Sequence, residues 1–450
     1  MKTFIRQATI VNENCQFVSD LLISNGRIDK IAPTIQVDEK VNVVEIDAEG
    51  LLLIPGMIDD QVHFREPGLT WKADLFSESK AAVAGGITSF MDMPNTIPNV
   101  LTQELLEEKY QLGAQKSVAN YSFFMGISKG NLEEALKTNT ENVCGITDDG
   151  LYFDNDEGIL ANYPEFLEQL FSRTETLVAL HSEDDTIIRK NTEKFKEIFG
   201  DDIPPEYHSV IRNTKACAIA TKRVLDLAKS KGNRLHFFHI SSAEEALLFE
   251  PSTDLRNKRI TAEACVHHLF FNVNDYASLG NKIKWNPSIK SSIDNTLLID
   301  CLHMNRLDII ATDHAPHTIE EKSGNYFQAK SGGPLVQHAL PALLELYHKG
   351  SLSLEKIVEK TSHHVAEIYR IKERGYIREG YYADLVLIDL QAPWEVKKEN
   401  ILSKCAWSPF EEMTFTSKIK KTYVNGKLAY DDSVQIQAEK GKRLLFEKIR

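Results

Sequence analysis

Asp313-His314-Ala315-Pro316-His317 follows the apolar run Leu307-Asp308-Ile309-Ile310-Ala311-Thr312, so a buried strand would deliver one acid and two imidazoles to its C-terminal end. A carboxylate so placed beside a bound metal can move protons, which is the chemistry of a metal-assisted hydrolase. The arrangement recurs upstream, where Leu51-Leu52-Leu53-Ile54-Pro55-Gly56-Met57-Ile58 runs into Asp59-Asp60-Gln61-Val62-His63-Phe64-Arg65-Glu66-Pro67-Gly68. His63 and Arg65 alternate with Val62 and Phe64, so on a strand the polar pair shares one face. His181 ends Leu177-Val178-Ala179-Leu180, and His239 ends Leu235-His236-Phe237-Phe238. Neutral imidazoles at the ends of adjacent strands can present nitrogens to one divalent ion, zinc being the default for a nitrogen and carboxylate shell. His267-His268 would point to opposite faces of a strand and read as structural.

The elements that must position these groups follow from periodicity. Residues 54–375 alternate apolar strands with helical stretches, the pattern of a parallel sheet or barrel. Eight strand candidates are present: the run ending near His63, then Gly86 to Pro94, Val118 to Gly126, Val143 to Asp149, Thr176 to Glu183, Leu235 to Ser241, Ile260 to His267 and Leu307 to His317. Eight strands close a barrel whose chemistry gathers at the C-terminal strand ends. Those ends carry His63, Asn95, Asp149, His181, His239 and Asp313.

Short strands with turns fill residues 1–53, with Asn25-Gly26 as a tight-turn signal, and return over 376–430, so both termini are expected to build one small β domain. Residues 431–450 read as a C-terminal helical extension, with Leu444, Leu445 and Phe446 docking on the body. The charged insert from Ser182 to Arg212 reads as an excursion on the active-site side or in solvent, and Ser331-Gly332-Gly333-Pro334 has the composition of a loop that closes over a substrate.

A chain of 450 residues with 42% hydrophobic content can bury one barrel-sized core and a smaller one. The net charge of −13 argues against nucleic acid or an anionic membrane as partner. Cys15, Cys144, Cys217, Cys265, Cys301 and Cys405 have no paired spacing, as expected of free thiols in a reducing cytosol. No apolar run reaches the roughly 18 residues of a membrane span, and a cytoplasmic location is expected.

Taken in order, Gln61-Val62-His63-Phe64-Arg65-Glu66-Pro67-Gly68, Met93-Pro94-Asn95-Thr96, His181, His239, Asn286-Pro287 and Asp313-His314-Ala315-Pro316-His317 resemble dihydroorotase, of the amidohydrolase superfamily. The resemblance implies an α/β fold, a (β/α)8 TIM-like metal-dependent hydrolase barrel with a small β-sandwich formed by both termini. It implies reversible cyclisation of N-carbamoyl-L-aspartate to L-dihydroorotate, one or two zinc ions, a homodimer, and association with aspartate carbamoyltransferase. By the family motif His63, His181, His239 and Asp313 would ligate metal, and Asp313 would also be the catalytic acid and base. Arg65, Asn95, Asn286 and His317 would hold the substrate beside His63, with backbone contacts from Gly332.

Two features depart from the pattern. Many relatives carry His-x-His at the end of the first strand, where this chain has Gln61-Val62-His63, and an amide oxygen is a poor zinc ligand beside imidazole. Many relatives also place a carbamylated lysine on the fourth strand. Here Val143-Cys144-Gly145-Ile146-Thr147-Asp148-Asp149-Gly150 holds none and resembles the Thr-Asp-Asp-Gly variant, in which the second aspartate bridges. Asp149 is the expected ligand and Asp148 the alternative, because strand alternation turns only one of them inward. These departures leave room for a catalytically weak homologue with a structural or regulatory role. A hydantoinase or allantoinase is a third reading; Arg65 separates it, because those substrates lack the ring carboxylate.

Overall fold

The barrel strands are covered on both sides, which leaves nearly every residue in them buried, the polar ones of Met57–Val62 and Asn120–Phe123 included. The computed structural model describes residues 2–36, 42–151, 159–434 and 438–448. Numbering only the barrel, the strands are β1 Met57–Val62, β2 Ile87–Asp92, β3 Asn120–Phe123 continued by Met125–Gly126, β4 Ile146–Thr147, β5 Val178–Leu180, β6 Leu235–Phe237, β7 Ile260–Cys265 and β8 Ile309–Ala311. Every neighbouring pair runs parallel. The ring closes from β8 back to β1: Val62 bridges His314, His63 N–H donates to the His314 carbonyl at 2.7 Å, and Thr312 N–H donates to Asp59 Oδ1 at 3.1 Å. All eight expected strands are therefore present, in the expected order.

Helices between strands begin at side-chain caps and end where the sequence supplies a stop. Asp74 accepts from Ser77 N–H to start Leu75–Ala84, and Asn213 accepts from Ala216 N–H to start Thr214–Lys231, which ends at Gly232 with φ of 72°. Met91, Met93, Phe124, Ala179 and Phe238 pack inside the barrel with Val365, Ile368 and Tyr369 of the helix His364–Tyr369. Ser362 Oγ donates to the Gly56 carbonyl and Lys360 Nζ to the Leu307 carbonyl, which places that segment at the N-terminal strand ends, away from the chemical rim.

Both termini join one hydrogen-bonded sheet of eight strands, in which Lys2–Asn12 lies between Leu52–Pro55 and Cys15–Ser24, and Leu385–Asp389 links Leu52–Pro55 to Lys418–Val424. Asn25 and Gly26, with φ of 52° and 81°, make the expected tight turn between Cys15–Ser24 and Arg27–Ala32.

Two local expectations are corrected. The described residues 438–448 are extended, with no helix: Leu444 and Phe446 are buried while Leu445 is exposed, the period of a strand. Leu444 N–H donates to the Tyr121 carbonyl, and Gly441 lies so close to Ala119 that a Cβ there would sit 1.8 Å from its carbonyl oxygen. An open strand edge took a segment whose lysines and glutamates would suit a helix. His267 and His268 lie just past the end of β7 at Cys265, in the helical turn Val266–Phe270, and both are buried. His267 stacks on Trp285 with ring centroids 4.6 Å apart.

Candidate active site

His63, Arg65, Asn95, Asp149, Asn286, Asp313, His317 and Gly332 line one cavity at the C-terminal rim, together with Lys72, Trp285 and Lys330. Arg65, His239 and Asp313 all have positive φ, at 66°, 38° and 48°. Side chains rarely adopt this conformation, which here turns each group off its strand axis toward the rim.

Asp149 is the hub. Its Oδ2 lies 3.3 Å from His63 Nε2 and accepts from Gln61 Nε2 at 3.1 Å, and its Oδ1 lies 3.8 Å from both His181 Nδ1 and His239 Nε2. Asp148 turns away to accept from the backbone N–H groups of His181 and Leu160. His63 Nε2 also lies 3.2 Å from Asp313 Oδ1, while its Nδ1 meets Asn95 Oδ1 at 2.8 Å. His181 and His239 sit behind Asp149, their Nδ1 and Nε2 only 3.0 Å apart. His314, although next to Asp313, faces away: Glu78 takes its Nε2 at 2.9 Å, and its Nδ1 accepts from Leu335 N–H.

Protons in this cluster sit where a metal would displace them. Burial opposes charge on His63, but Asp149 and Asp313 beside it hold its imidazole up at about 9. Burial likewise opposes charge on His239, and Asp149 raises it to about 9. Burial works against the charged form of Asp149, yet His239 and His63 hold its carboxyl well below the usual range. Burial lowers His181, which stays neutral. The Asp149, His181 and His239 ligand atoms lie within 4.8 Å of one another. Donors bonded to one zinc ion at about 2.0–2.2 Å stand about 3.3 Å apart, so the set fits a divalent cation.

Cationic groups line the same cavity. Arg65 Nε donates to the Pro316 carbonyl at 3.1 Å, and its Nη2 faces His317 Nε2 at 3.2 Å. Lys72 Nζ stands 3.1 Å from His317 Nδ1 and 3.1 Å from Glu321. Burial, with Arg65 alongside, drives His317 well below its ordinary value and keeps it neutral. Gly332 lines the cavity, but its N–H is bound to the Lys284 carbonyl and its own carbonyl accepts from Lys322 Nζ, so only a carbonyl lone pair is left for a ligand. Asn286 Oδ1 is buried and, among the described residues, has no hydrogen-bond partner.

Sequence reasoning missed three participants. Glu183 accepts from His181 Nε2 at 2.8 Å and from Arg212 Nε at 3.0 Å, and Lys72 stands beside His317. Glu183 lies two residues after His181, an interval that puts both on one face of an extended chain, so it was the most accessible of the three. Arg212 returns from the end of the insert, whose helix Asp185–Phe199 is capped by Asp184, and this places the insert on the active-site side.

Barrel, rim and donor set define a metal-dependent hydrolase of the amidohydrolase type. The amidohydrolase family model matches residues 52–429, and the chain belongs to that family. Curated relatives include dihydroorotases: that of Methanosphaera stadtmanae is 31% identical, covering 95% of this chain and 97% of the relative, and that of Methanosarcina acetivorans is 32% identical, covering 91% and 88%. The solved L-hydantoinase (dihydropyrimidinase) from Arthrobacter aurescens superposes with a TM-score of 0.85 at 23% identity, over 98% of this chain and 97% of that one, a likeness of fold.

Proposed function

We propose that this chain is a dihydroorotase, a metal-dependent cyclic amidohydrolase that interconverts N-carbamoyl-L-aspartate and L-dihydroorotate in pyrimidine biosynthesis. The observation that carries the reading is that Arg65 and neutral His317 line one cavity with Asp149, His63 and Asp313. A ring carboxylate fits the guanidinium fork, which offers paired donors, with Asn95 and His317 completing its grip. Hydantoins and allantoin bring no such group to Arg65.

The metal set assigned here is His63, Asp149, His181, His239 and Asp313, and zinc suits its nitrogen and oxygen donors. A bound cation supplies Lewis-acid polarisation of the reacting carbonyl or carboxylate. The chain's own groups do the rest. Arg65 and His317 fix the carboxylate, so that the ureido nitrogen stands within reach of Asp313. In ring closure the nitrogen lone pair attacks the side-chain carboxylate carbon, and Asp313 takes the proton released from that nitrogen. Asp313 then passes it to the departing oxygen, which leaves as water after gaining a second proton from solvent. Hydrolysis runs the same steps in reverse. Asp149, held by Gln61 and His63, keeps its charge and fixes the two imidazoles behind it.

All six cysteines are unpaired, which supports a reducing compartment, the cytoplasm. No helix among the described residues is long and apolar enough to cross a membrane.

The test is a paired assay on the purified protein. It should cyclise carbamoyl-aspartate, lose turnover on chelation and regain it with zinc, and leave hydantoin and allantoin almost untouched. Turnover of hydantoin or allantoin in preference to dihydroorotate, or none of any substrate in the zinc-loaded protein, contradicts the proposal.

A further inference from the structure

We propose that the barrel bore holds a second divalent-cation site one layer below the rim, built from Asp60 of β1, His236 of β6 and Glu263 of β7. All three side chains are fully buried, and their ligand atoms lie within 4.8 Å of one another. His236 Nε2 stands 3.2 Å from Glu263 Oε2 and 3.4 Å from Asp60 Oδ2. Neighbouring corners of a tetrahedron around an ion bonded at about 2.0–2.1 Å are about 3.3 Å apart.

Three observations point to a cation. First, His236 Nδ1 meets Thr261 Oγ1 at 2.8 Å, and that hydroxyl donates to the Leu235 carbonyl at 3.5 Å. The threonine oxygen is then an acceptor, so the ring proton sits on Nδ1 and the Nε2 lone pair faces two carboxylate oxygens. Such a partner orients a metal-binding imidazole. Second, Asp60 Oδ1 is buried and, among the described residues, receives no N–H and no hydroxyl, although Tyr369 OH donates to Oδ2 at 2.8 Å. Third, among the described residues neither Asp60 nor Glu263 pairs with a lysine or arginine. Two buried carboxylates need a counter-charge or a proton. The nitrogen and oxygen set, with the Tyr369 phenol alongside, suits zinc or a similar small divalent ion.

This site is separate from the rim, since Asp60 and His236 each precede a rim histidine by three residues. The two layers are nevertheless joined, because Glu263 Oε1 accepts from His239 N–H at 3.0 Å. The rival occupant of the same space is a single proton shared by Asp60 and Glu263.

Anomalous diffraction at the zinc edge, from crystals of the wild-type protein grown with zinc, decides between them. The proposal expects a peak about 2 Å from His236 Nε2, distinct from any peak at Asp149. Zinc analysis of the Asp149→Asn, His181→Asn double variant should still find one ion per chain, and adding His236→Gln should remove it. A wild-type map with the bore empty while the rim is filled overturns the proposal and leaves the catalytic reading untouched. If the variants do not fold, the wild-type map alone is decisive.

Discussion

His181 donates its Nε2–H to Glu183 Oε2 at 2.8 Å, which leaves the Nδ1 lone pair facing Asp149 and His239. Glu183 is in turn gripped by the Arg212 guanidinium, so a buried acid, a cation and an imidazole are tied into one unit that sets the orientation of the nitrogen that would face the proposed metal. Burial opposes the charge on Glu183, but Arg212 and His181 hold its carboxyl far below the ordinary range.

Replacing Arg212 with Met therefore strands a buried carboxylate. The expected cost is about 3–5 kcal/mol of stability, read by denaturant unfolding, with zinc affinity down roughly 10–100-fold. Because the folded value of Glu183 is depressed, its contribution is present above the unfolded value of 4.5 and is lost as pH falls through the folded one. The Met variant should lose that acid-side dependence. A variant as stable as the wild type at neutral pH would rule out the coupling.

Zinc uptake should release protons. With His63 and His239 both held up at about 9, each carries a proton at neutral pH that a metal must displace. Calorimetry in buffers of different ionisation enthalpy should find roughly one to two protons released per chain near pH 7.5, falling toward zero above pH 9. In the metal-free chain the same raised values stabilise the fold below the ordinary 6.5, and this is lost as pH rises through about 9. Proton-neutral binding would contradict the assigned ligands.

Arg65→Met should raise KM for dihydroorotate and lower kcat/KM by roughly 10–100-fold, the worth of a charge-assisted pair of hydrogen bonds at about 1.5–3 kcal/mol. Zinc content should not change, because Arg65 is not among the assigned ligands; it donates to the Pro316 carbonyl and meets His317. Equal kcat/KM in variant and wild type would remove Arg65 from carboxylate recognition.

Gln61→His restores the imidazole that many relatives carry at this point. Gln61 already donates to Asp149 at 3.1 Å and is fully buried, so an imidazole there would face the same carboxylate. The variant should bind zinc more tightly or in higher ratio, as measured by elemental analysis after dialysis. Unaltered stoichiometry and affinity would show that the position does not reach the metal.

Much of this architecture could be read from the chain itself. Strand spacing could be read from buried apolar positions, and the ends that carry His63, Asn95, Asp149 and Asp313 meet at one cavity. Strand alternation left Asp148 and Asp149 as alternatives; in the fold Asp148 accepts from two backbone N–H groups, while Asp149 lines the cavity. Other features depend on tertiary contact and leave no local trace. Arg212 reaches Glu183 across 29 residues from a segment rich in other cations, so no spacing singles it out. Likewise, the final segment follows the strand edge at Tyr121 rather than its own helix-favouring composition.

The most direct test of the proposed mechanism is Asp313→Asn assayed for carbamoyl-aspartate cyclisation, with circular dichroism to verify the fold. Loss of a positioned acid and base predicts a fall in kcat of roughly 10²–10⁴ with the fold intact. A folded variant that keeps turnover within a factor of about three of the wild type would contradict the role assigned to Asp313 and the mechanism built on it.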